Sequence, residues 1–257
     1  MIDKITRLLA QKAREAGRGV RGTSAFLRDW QEIKKLAPQQ PDFPVIDYYP
    51  VLTDRYVESG NLTHHYFDQD LTMAQRIFQN NPAQHVDIGS RIDGFVAHVA
   101  TFRPIELFDI RPLNRPISNV TFRQVDFMQL PDELIEYTDS ISSLHVIEHF
   151  GLGRYGDPLD VNGHLKALDN IYRVLKPGGR FYFSTPVSTQ QGIVFNAHRV
   201  FRVDYLVSLF EKQYDIANFW LIDDSNTLRA GLDCHSEAAR HSFGCSFGCG
   251  MFELVKR

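Results

Sequence analysis

Nowhere in this 257-residue chain does an apolar stretch approach the roughly 20 residues that a membrane span needs. The N-terminus also lacks the continuous apolar segment of a secretory signal. Cysteine is scarce: Cys234, Cys245 and Cys249 are an odd set that cannot all pair within the chain. That fits a reducing, cytoplasmic setting better than a secreted disulfide framework. An excess of one charge is missing too, since 28 Lys and Arg stand against 31 Asp and Glu, for a net charge of -3. The global charge therefore gives no reason to expect nucleic acid as a partner. Low-complexity segments are absent. What is present is 43% hydrophobic residues with 19 Phe, enough for a substantial core in one large α/β domain with a helical appendage.

One further absence is local and says more. From Gln84 to Ile110 the chain reads QHVDIGSRIDGFVAHVATFRPIELFDI. The pattern is a strand ending in Asp87, a turn at Gly89, a helix, and a second strand ending in Asp109. Such a unit builds a pocket for an adenosine-bearing cofactor, with the second acid placed to accept from ribose hydroxyls. Gly89 and Gly94 are spaced like the outer glycines of a dinucleotide fingerprint, but Arg91 stands where the middle glycine would be. That middle glycine lets a pyrophosphate touch the backbone. A bulky residue there argues against NAD or FAD and leaves room for a cofactor without phosphates, such as S-adenosylmethionine (SAM). Arg91 could pair with the methionine carboxylate of that cofactor. A plain strand–turn–helix with no ligand stays open as the simpler alternative.

The flanking segments set the organisation. Residues 1–64 are expected to form an N-terminal helical appendage and connector, and residues 65–257 the main domain. The first 35 residues carry nine Lys or Arg against four Asp or Glu. Apolar residues recur at helical spacing through Ile2, Ile5, Leu8 and Leu9, and again through Phe26, Leu27, Trp30 and Ile33. Gly17, Gly19 and Gly22 are expected to break these into two helices, with Thr23 or Ser24 capping the second. The pair would pack on the main domain or a partner subunit, or rest on an anionic membrane surface. A Pro- and Tyr-rich connector follows, and then a helix from about Asp68 to Gln79. Strands and helices alternate from Gln84 to about Val187, which points to a mostly parallel sheet covered on both faces. YDIANFWLIDD and GCGMFELVKR read as two closing strands, able to end the sheet as an antiparallel pair.

Over roughly residues 65 to 257 the chain resembles the class I SAM-dependent methyltransferases. The likeness rests on VDIGS at the first strand, the acid in ELFDI, VDFMQLP after the third strand, and LHVIEHF followed by YRVLKPGGRFYFSTP. More narrowly, HYFDQD, DIGSRIDGFVAHVA, EHFGLGRYGDP and FNAHRVF resemble a little-characterised methyltransferase-like family with a domain-of-unknown-function label, some of whose bacterial members accompany surface-glycan genes. The resemblance implies a Rossmann-like sheet with an antiparallel C-terminal strand and SAM as cofactor. It implies that Asp87, Gly89 and Ser90 lie beside the methionine part, with Arg91 and His145 in the same cofactor set. Asp109 would hold the ribose hydroxyls and Asp126 would accept from the adenine amino group, though Asp126 also reads as a helix cap. The family's loop usually has glycine at the positions of Arg91 and Asp93. This departure keeps open a relative that has the fold but only binds or assembles.

The remaining candidates lie past the fourth and fifth strands, where parallel sheets open their crevice. His149 is the expected general base, because an imidazole titrates near neutrality, and Glu148 would orient it or take the proton itself. A histidine that only fixes backbone is the alternative. Arg154 and Tyr155 in the loop GLGRYGDPLD, with Asn196, His198 and Arg199 in FNAHR, are the expected acceptor contacts, or else loop-fixing residues. That glycine-rich loop lacks the GK[ST] ending of a phosphate-cradling P-loop. Upstream, His64, His65, Tyr66 and Gln69 sit where a cofactor-covering helix would begin. No metal is expected: Glu148, His149 and Asp157 match no recognised ligand spacing, and the C-x3-C of Cys245 and Cys249 with His235 and His241 nearby, which could take zinc, reads more plainly as a strand alternating through Phe247, Cys249 and Met251. The reading is a cytoplasmic O-methyltransferase of a saccharide or related small metabolite. The alternatives are an inactive relative and a nucleotide-dependent enzyme disfavoured by Arg91. Partners expected are the acceptor, a membrane or protein surface for the N-terminal helices, and a second copy of the chain.

Overall fold

The computed structural model of the chain describes residues 2–56 and 65–257, with side chains from residue 17 onward. His64 lies outside the described residues. The chain divides into two compact units, Met1–Leu62 and Thr63–Arg257.

The first unit is built on one helix, α1 (Ile2–Leu36), and not on two. Three glycines do not stop it. Gly17 and Gly19 stand in open space, so each costs only the roughly 1 kcal/mol by which glycine trails alanine in a helix. Gly22 has a packing reason, because a Cβ there would lie 1.7 Å from the Leu52 carbonyl oxygen. The connector thus crosses the helix in direct backbone contact. Thr23 and Ser24 do not cap. Their hydroxyls bond back to the carbonyls of Gly19 and Arg21, a habit that lets such residues sit inside a helix. Arg55 pairs with Asp29, and Tyr48 packs against Trp30.

The second unit begins with α2 (Tyr66–Asn80), which buries Met73, Ala74 and Ile77 and ends on Asn81 in the left-handed region. Then come β1 (Val86–Ile88), a π-helical turn over Ile92–Val96 running into α3 (Ala97–Ala100), β2 (Ile105–Asp109) and β3 (Val120–Gln124). Next are β4 (Thr138–Leu144), α4 (Gly163–Val174) and β5 (Leu175–Val187). The chain continues through a hairpin of β6 (Gly192–Val194) and β7 (His198–Val200), and α5 (Val203–Phe210). It closes with β8 (Tyr214–Ile222), β9 (Leu228–Arg229), α6 (Glu237–Arg240) and β10 (Gly248–Lys256).

The main sheet runs in the order β3-β2-β1-β4-β5-β10-β8-β9. Strands β1 to β5 are mutually parallel, and β10 inserts antiparallel between β5 and β8. One face buries Ile171, Ala167, Leu206 and Phe210, and the other buries Met73, Ile77, Phe95 and Val99. This is the two-faced α/β sheet expected from the alternation. The order reverses between β1 and β4, and in parallel sheets a ligand crevice opens at that point.

The antiparallel closure is held by one buried carboxylate. Glu253 on β10 accepts from Arg76 and Asn80 on α2, from Arg180 on β5 and from Asn218 on β8, at 2.6 to 2.8 Å. Burial would raise its pKa, but Arg76, Asn218 and Asn80 outweigh that and hold it below the usual carboxylate range. Glu253→Gln keeps the shape and removes the charge from this network. The expected result is a loss of about 1.5–3 kcal/mol of unfolding free energy in urea titration, and an unchanged midpoint would show that the network contributes no stability.

Candidate functional site

The cleft grows from a buried polar network beneath the switch point. Asp87, fully buried in β1, accepts from the backbone N–H of Ser90 at 2.9 Å and from its hydroxyl at 2.7 Å. It also accepts from the Ser142 hydroxyl of β4 at 2.5 Å. Ser142 in turn meets His85 Nε2 at 3.1 Å, while His85 Nδ1 meets Ser140. Burial pushes the Asp87 carboxyl up to about 7 and the His85 imidazole down to about 3. The loop after β1 is thereby pinned to the neighbouring strand. Gly89 sits at φ +69°, and a Cβ there would come within 2.9 Å of Val146. Only glycine fits that close approach.

Above this network opens a cavity of about 890 Å³, bounded by the loops after β1, β2, β4 and β5 and by the start of α2. Gly89, Ser90, Arg91, Asp109, His145, Glu148, His149, Arg154, Tyr155 and His198 of the expected site residues line it. A smaller cavity of about 60 Å³ shares Gly89, Asp109, His145, His149 and Tyr155 and adds Asp126. Three expected contacts are placed elsewhere. Asp87 supports the loop from beneath and does not line either cavity. Arg199 is 4% exposed, and its guanidinium donates to the carbonyls of Phe150 and Val161, which staples the glycine-rich lid loop, residues 151–160, to β7. Asn196 is exposed at the tip of the β6–β7 hairpin, away from the cavity lining. Of the α2 candidates, His65 and Tyr66 reach the cavity, whereas Gln69 is buried against Ser184.

Charged groups in the cleft are already engaged with one another. Arg91 pairs with Asp93 at 2.9 Å and stacks over Tyr66. Asp109 receives Arg111 on both oxygens, at 3.0 and 2.7 Å, and Arg111 lies over the Tyr155 ring. Asp126 accepts from the backbone N–H of Met128, as a turn-capping acid does. In the lid loop, Asp157 accepts the N–H groups of Gly151, Gly153 and Tyr155. Those donors are spent on the loop's own carboxylate, which leaves no phosphate cradle there.

Past β4 the carboxylate of Glu148, 1% exposed, lies between two imidazoles. Its Oε1 is 3.0 Å from His145 Nδ1 and 3.8 Å from His149 Nε2. His149 Nδ1 lies 2.7 Å from the Ala197 carbonyl oxygen, which can only accept, so that nitrogen carries the proton and Nε2 holds a lone pair. Burial lowers the His149 pKa, with Glu148 opposing, so the ring is neutral at physiological pH. His145 takes a left-handed backbone at φ +55°. Burial would lower its pKa, but the Cys249 sulfur and Glu148 beside it raise it well above the ordinary value.

Sequence reasoning missed Arg111, Ser142 and Cys249. Arg111 was accessible as a cation two residues past the strand-end acid. Ser142 and Cys249 reach the site only through strand pairing, which no local spacing reveals.

Residues 109–238, about half of the chain, match the family described as Caenorhabditis protein of unknown function, DUF268. No curated protein matches the chain. Among solved structures, the [4+2]-cyclase SpnF is 15% identical, with a TM-score of 0.52 over 82% of this chain and 84% of that one. The 1,6-didemethyltoxoflavin-N1-methyltransferase of Burkholderia thailandensis, solved with 1,6-didemethyltoxoflavin and S-adenosylhomocysteine, is 14% identical. Its TM-score is 0.50, over 73% of this chain and 78% of that one. At such identities the likeness is one of fold, and the fold is the Rossmann-like sheet of class I methyltransferases.

The Asp87 network carries a pH signature. The folded chain holds a proton on Asp87 up to about 7, whereas the unfolded chain releases it near 3.8. Between those values Asp87 makes stability fall as pH rises. His85 acts oppositely: folded near 3 and unfolded at 6.5, it makes stability fall as pH drops below 6.5. Asp87→Asn removes only the first effect. The variant's unfolding free energy should therefore rise more steeply with pH than the wild type's between pH 4 and 7, by up to about 1.4 kcal/mol per pH unit. Parallel curves from denaturant titrations across that range would show that Asp87 is ionised throughout.

Proposed function

The chain belongs to the DUF268 family, and from its fold and its cleft we propose that it is a SAM-dependent methyltransferase acting on a hydroxyl of a saccharide or related small metabolite. The observation that carries this reading is His149, neutral, with its lone-pair nitrogen beside Glu148 on the wall of the cavity. A neutral imidazole so placed can take a proton from an oxygen nucleophile.

The residues present suit the cofactor. The backbone of Gly89 in the cavity wall, the carboxylate of Asp109 and the guanidinium of Arg91 correspond to backbone contact, ribose hydroxyls and a methionine carboxylate. When bound, SAM supplies a methyl group made electrophilic by a positively charged sulfur. The B. thailandensis enzyme of similar fold was solved with the demethylated product of that cofactor, which supports the same ligand here. A cavity of about 890 Å³ is at the upper end for one small ligand and leaves space for an acceptor beside the cofactor.

The chain's own work is to bind, align and remove a proton. Tyr155, His198 and Phe247 offer ring faces, and Arg154, Asp224 and Asn226 lie among them with hydrogen-bonding groups. That mixture suits a polyhydroxylated ring. His149 Nε2 accepts the acceptor's hydroxyl proton, and Glu148, 3.8 Å from that same nitrogen, stabilises the imidazolium that results. Holding nucleophile and methyl carbon in line supplies much of the rest of the rate.

A second reading, a fold that binds without transferring methyl, draws on the engagement of both Asp109 oxygens by Arg111. The similar fold of a [4+2]-cyclase also shows that this architecture hosts other chemistry. An acceptor screen over nucleotide sugars, glycan ends and phosphorylated metabolites with labelled SAM separates the two readings. With the acceptor in hand, His149→Ala should cut turnover by about 10² to 10⁴ with little change in SAM affinity. The wild-type rate should rise with pH through an inflection below the ordinary histidine value of 6.5, and that inflection should vanish in the variant. A variant that turns over at the wild-type rate removes His149 from the chemistry.

A further inference from the structure

We propose that His65, His145 and Cys249 form a binding site for a zinc-class divalent metal in the wall of the cleft, with its open coordination position on the cavity side. One ring nitrogen from each histidine and the cysteine sulfur lie within 4.8 Å of one another. All three residues are withdrawn from solvent: His65 is 8% exposed, the His145 side chain 7% and Cys249 fully buried. They come from three separate places, the N-cap of α2, the residue after β4 and the β10 strand two places along the sheet.

The case rests on the chemistry of His145. Its Nδ1 is taken by the Glu148 carboxylate at 3.0 Å. Its Nε2 is buried and has no oxygen or nitrogen partner at hydrogen-bond geometry among the described residues, the neighbouring Cys249 sulfur being only a weak one. A buried polar atom without a partner is costly, and native proteins rarely leave one so. Metal-binding histidines characteristically donate their second nitrogen to a carboxylate, which fixes the ring and strengthens the ligand. Glu148 stands in that place. The left-handed backbone of His145 and the stacking of its ring on His65, with centroids 5.5 Å apart, fix the two imidazoles against each other. Imidazole and thiolate are ligand types that zinc takes, and three of them leave a fourth position open, whereas carboxylate- or carbonyl-rich sets suit calcium or magnesium.

Binding is a substitution. The Cys249 thiol and the protonated His145 ring each give a proton to solvent as the metal bonds form, so that His145 binds through Nε2 with its Nδ1 proton kept toward Glu148, and His65 binds through a neutral ring nitrogen. His65 and His145 both line the main cavity, so the fourth position faces it. An oxygen ligand there, water or an acceptor hydroxyl, becomes more acidic on the metal. That last role rests on the methyltransferase reading, but the metal site does not, and its test uses no SAM. A second trio, Asp233, Cys234 and His235, also offers ligand atoms within 4.8 Å, but Asp233 and His235 are exposed neighbours on one loop without a carboxylate-backed imidazole, so it serves as the comparison.

The test is to strip the full chain with a chelator and titrate it with Co²⁺. A sulfur-to-cobalt charge-transfer absorption should saturate at one equivalent and disappear when Zn²⁺ is added. Cys249→Ser should abolish the absorption, His145→Asn should weaken binding at least about tenfold, and Cys234→Ser should leave both intact. X-ray absorption of the wild-type zinc form needs no variant, and should show one sulfur at about 2.3 Å and nitrogen at about 2.0 Å. No charge-transfer absorption, a first shell without sulfur, or an absorption lost in Cys234→Ser and kept in Cys249→Ser would each overturn the site. Loss of methyl transfer in a chain that still binds cobalt would instead count against the proposed function alone.

Discussion

The carboxylate of Asp87 is the constraint on which the cleft depends. It is fully buried, yet it gathers the loop after β1 and a serine of β4 onto one pair of oxygens. Those two strands flank the switch point, so the bonds set the spacing of the crevice itself. Were the carboxylate to let go, Ser90 and Ser142 would keep buried donors without acceptors, a costly state. The glycine turn, the wall of Arg91 and the base of the cavity all follow from that anchorage. Glu253 plays the matching part at the other side, tying α2 to the antiparallel strands. The α2 helix so fixed is the one that presents His65 and Tyr66 to the cavity.

Reactive groups in the cleft are kept from solvent and held in fixed protonation states by packing. His149 is neutral because burial outweighs the pull of Glu148, and its Nδ1 proton is committed to a backbone carbonyl. The lid loop is ordered internally by Asp157 and externally by Arg199, so Arg154 and Tyr155 are carried on a supported segment. Arg111 joins this lid to the strand-end acid through Tyr155 and Asp109. A ligand whose hydroxyls donate to Asp109 therefore competes with Arg111 for its oxygens, and the contact of Arg111 with Tyr155 is coupled to that competition.

Much of the fold was legible because the signals were local. Alternating strands and helices with acids at strand ends gave the parallel sheet and its crevice, and the last two apolar runs gave the antiparallel closure. The N-terminal glycines misled, because a break was inferred from propensity where Gly22 serves a backbone crossing. The β6–β7 hairpin and α5 carried no strong pattern and were not foreseen. In the cleft, residues that follow strand ends line the cavity. Burial and its partners make Asp87 a support beneath the loop, and of the two roles open to Arg199, acceptor contact or loop fixing, its carbonyl partners favour the second. Cys249 was read as strand packing, which it is, but its neighbours across the sheet were invisible to spacing. Long-range pairing decides those contacts, and pairing is what a single sequence hides.

The central claim is that the cleft takes a nucleoside cofactor without a pyrophosphate. Isothermal titration of the full chain with S-adenosylhomocysteine, and separately with NAD, tests it most directly. The account predicts saturable heat at one site per chain for the first and none for the second, because Arg91 closes the backbone approach that a pyrophosphate needs. No heat with S-adenosylhomocysteine at high micromolar concentration, or heat with NAD, would contradict it.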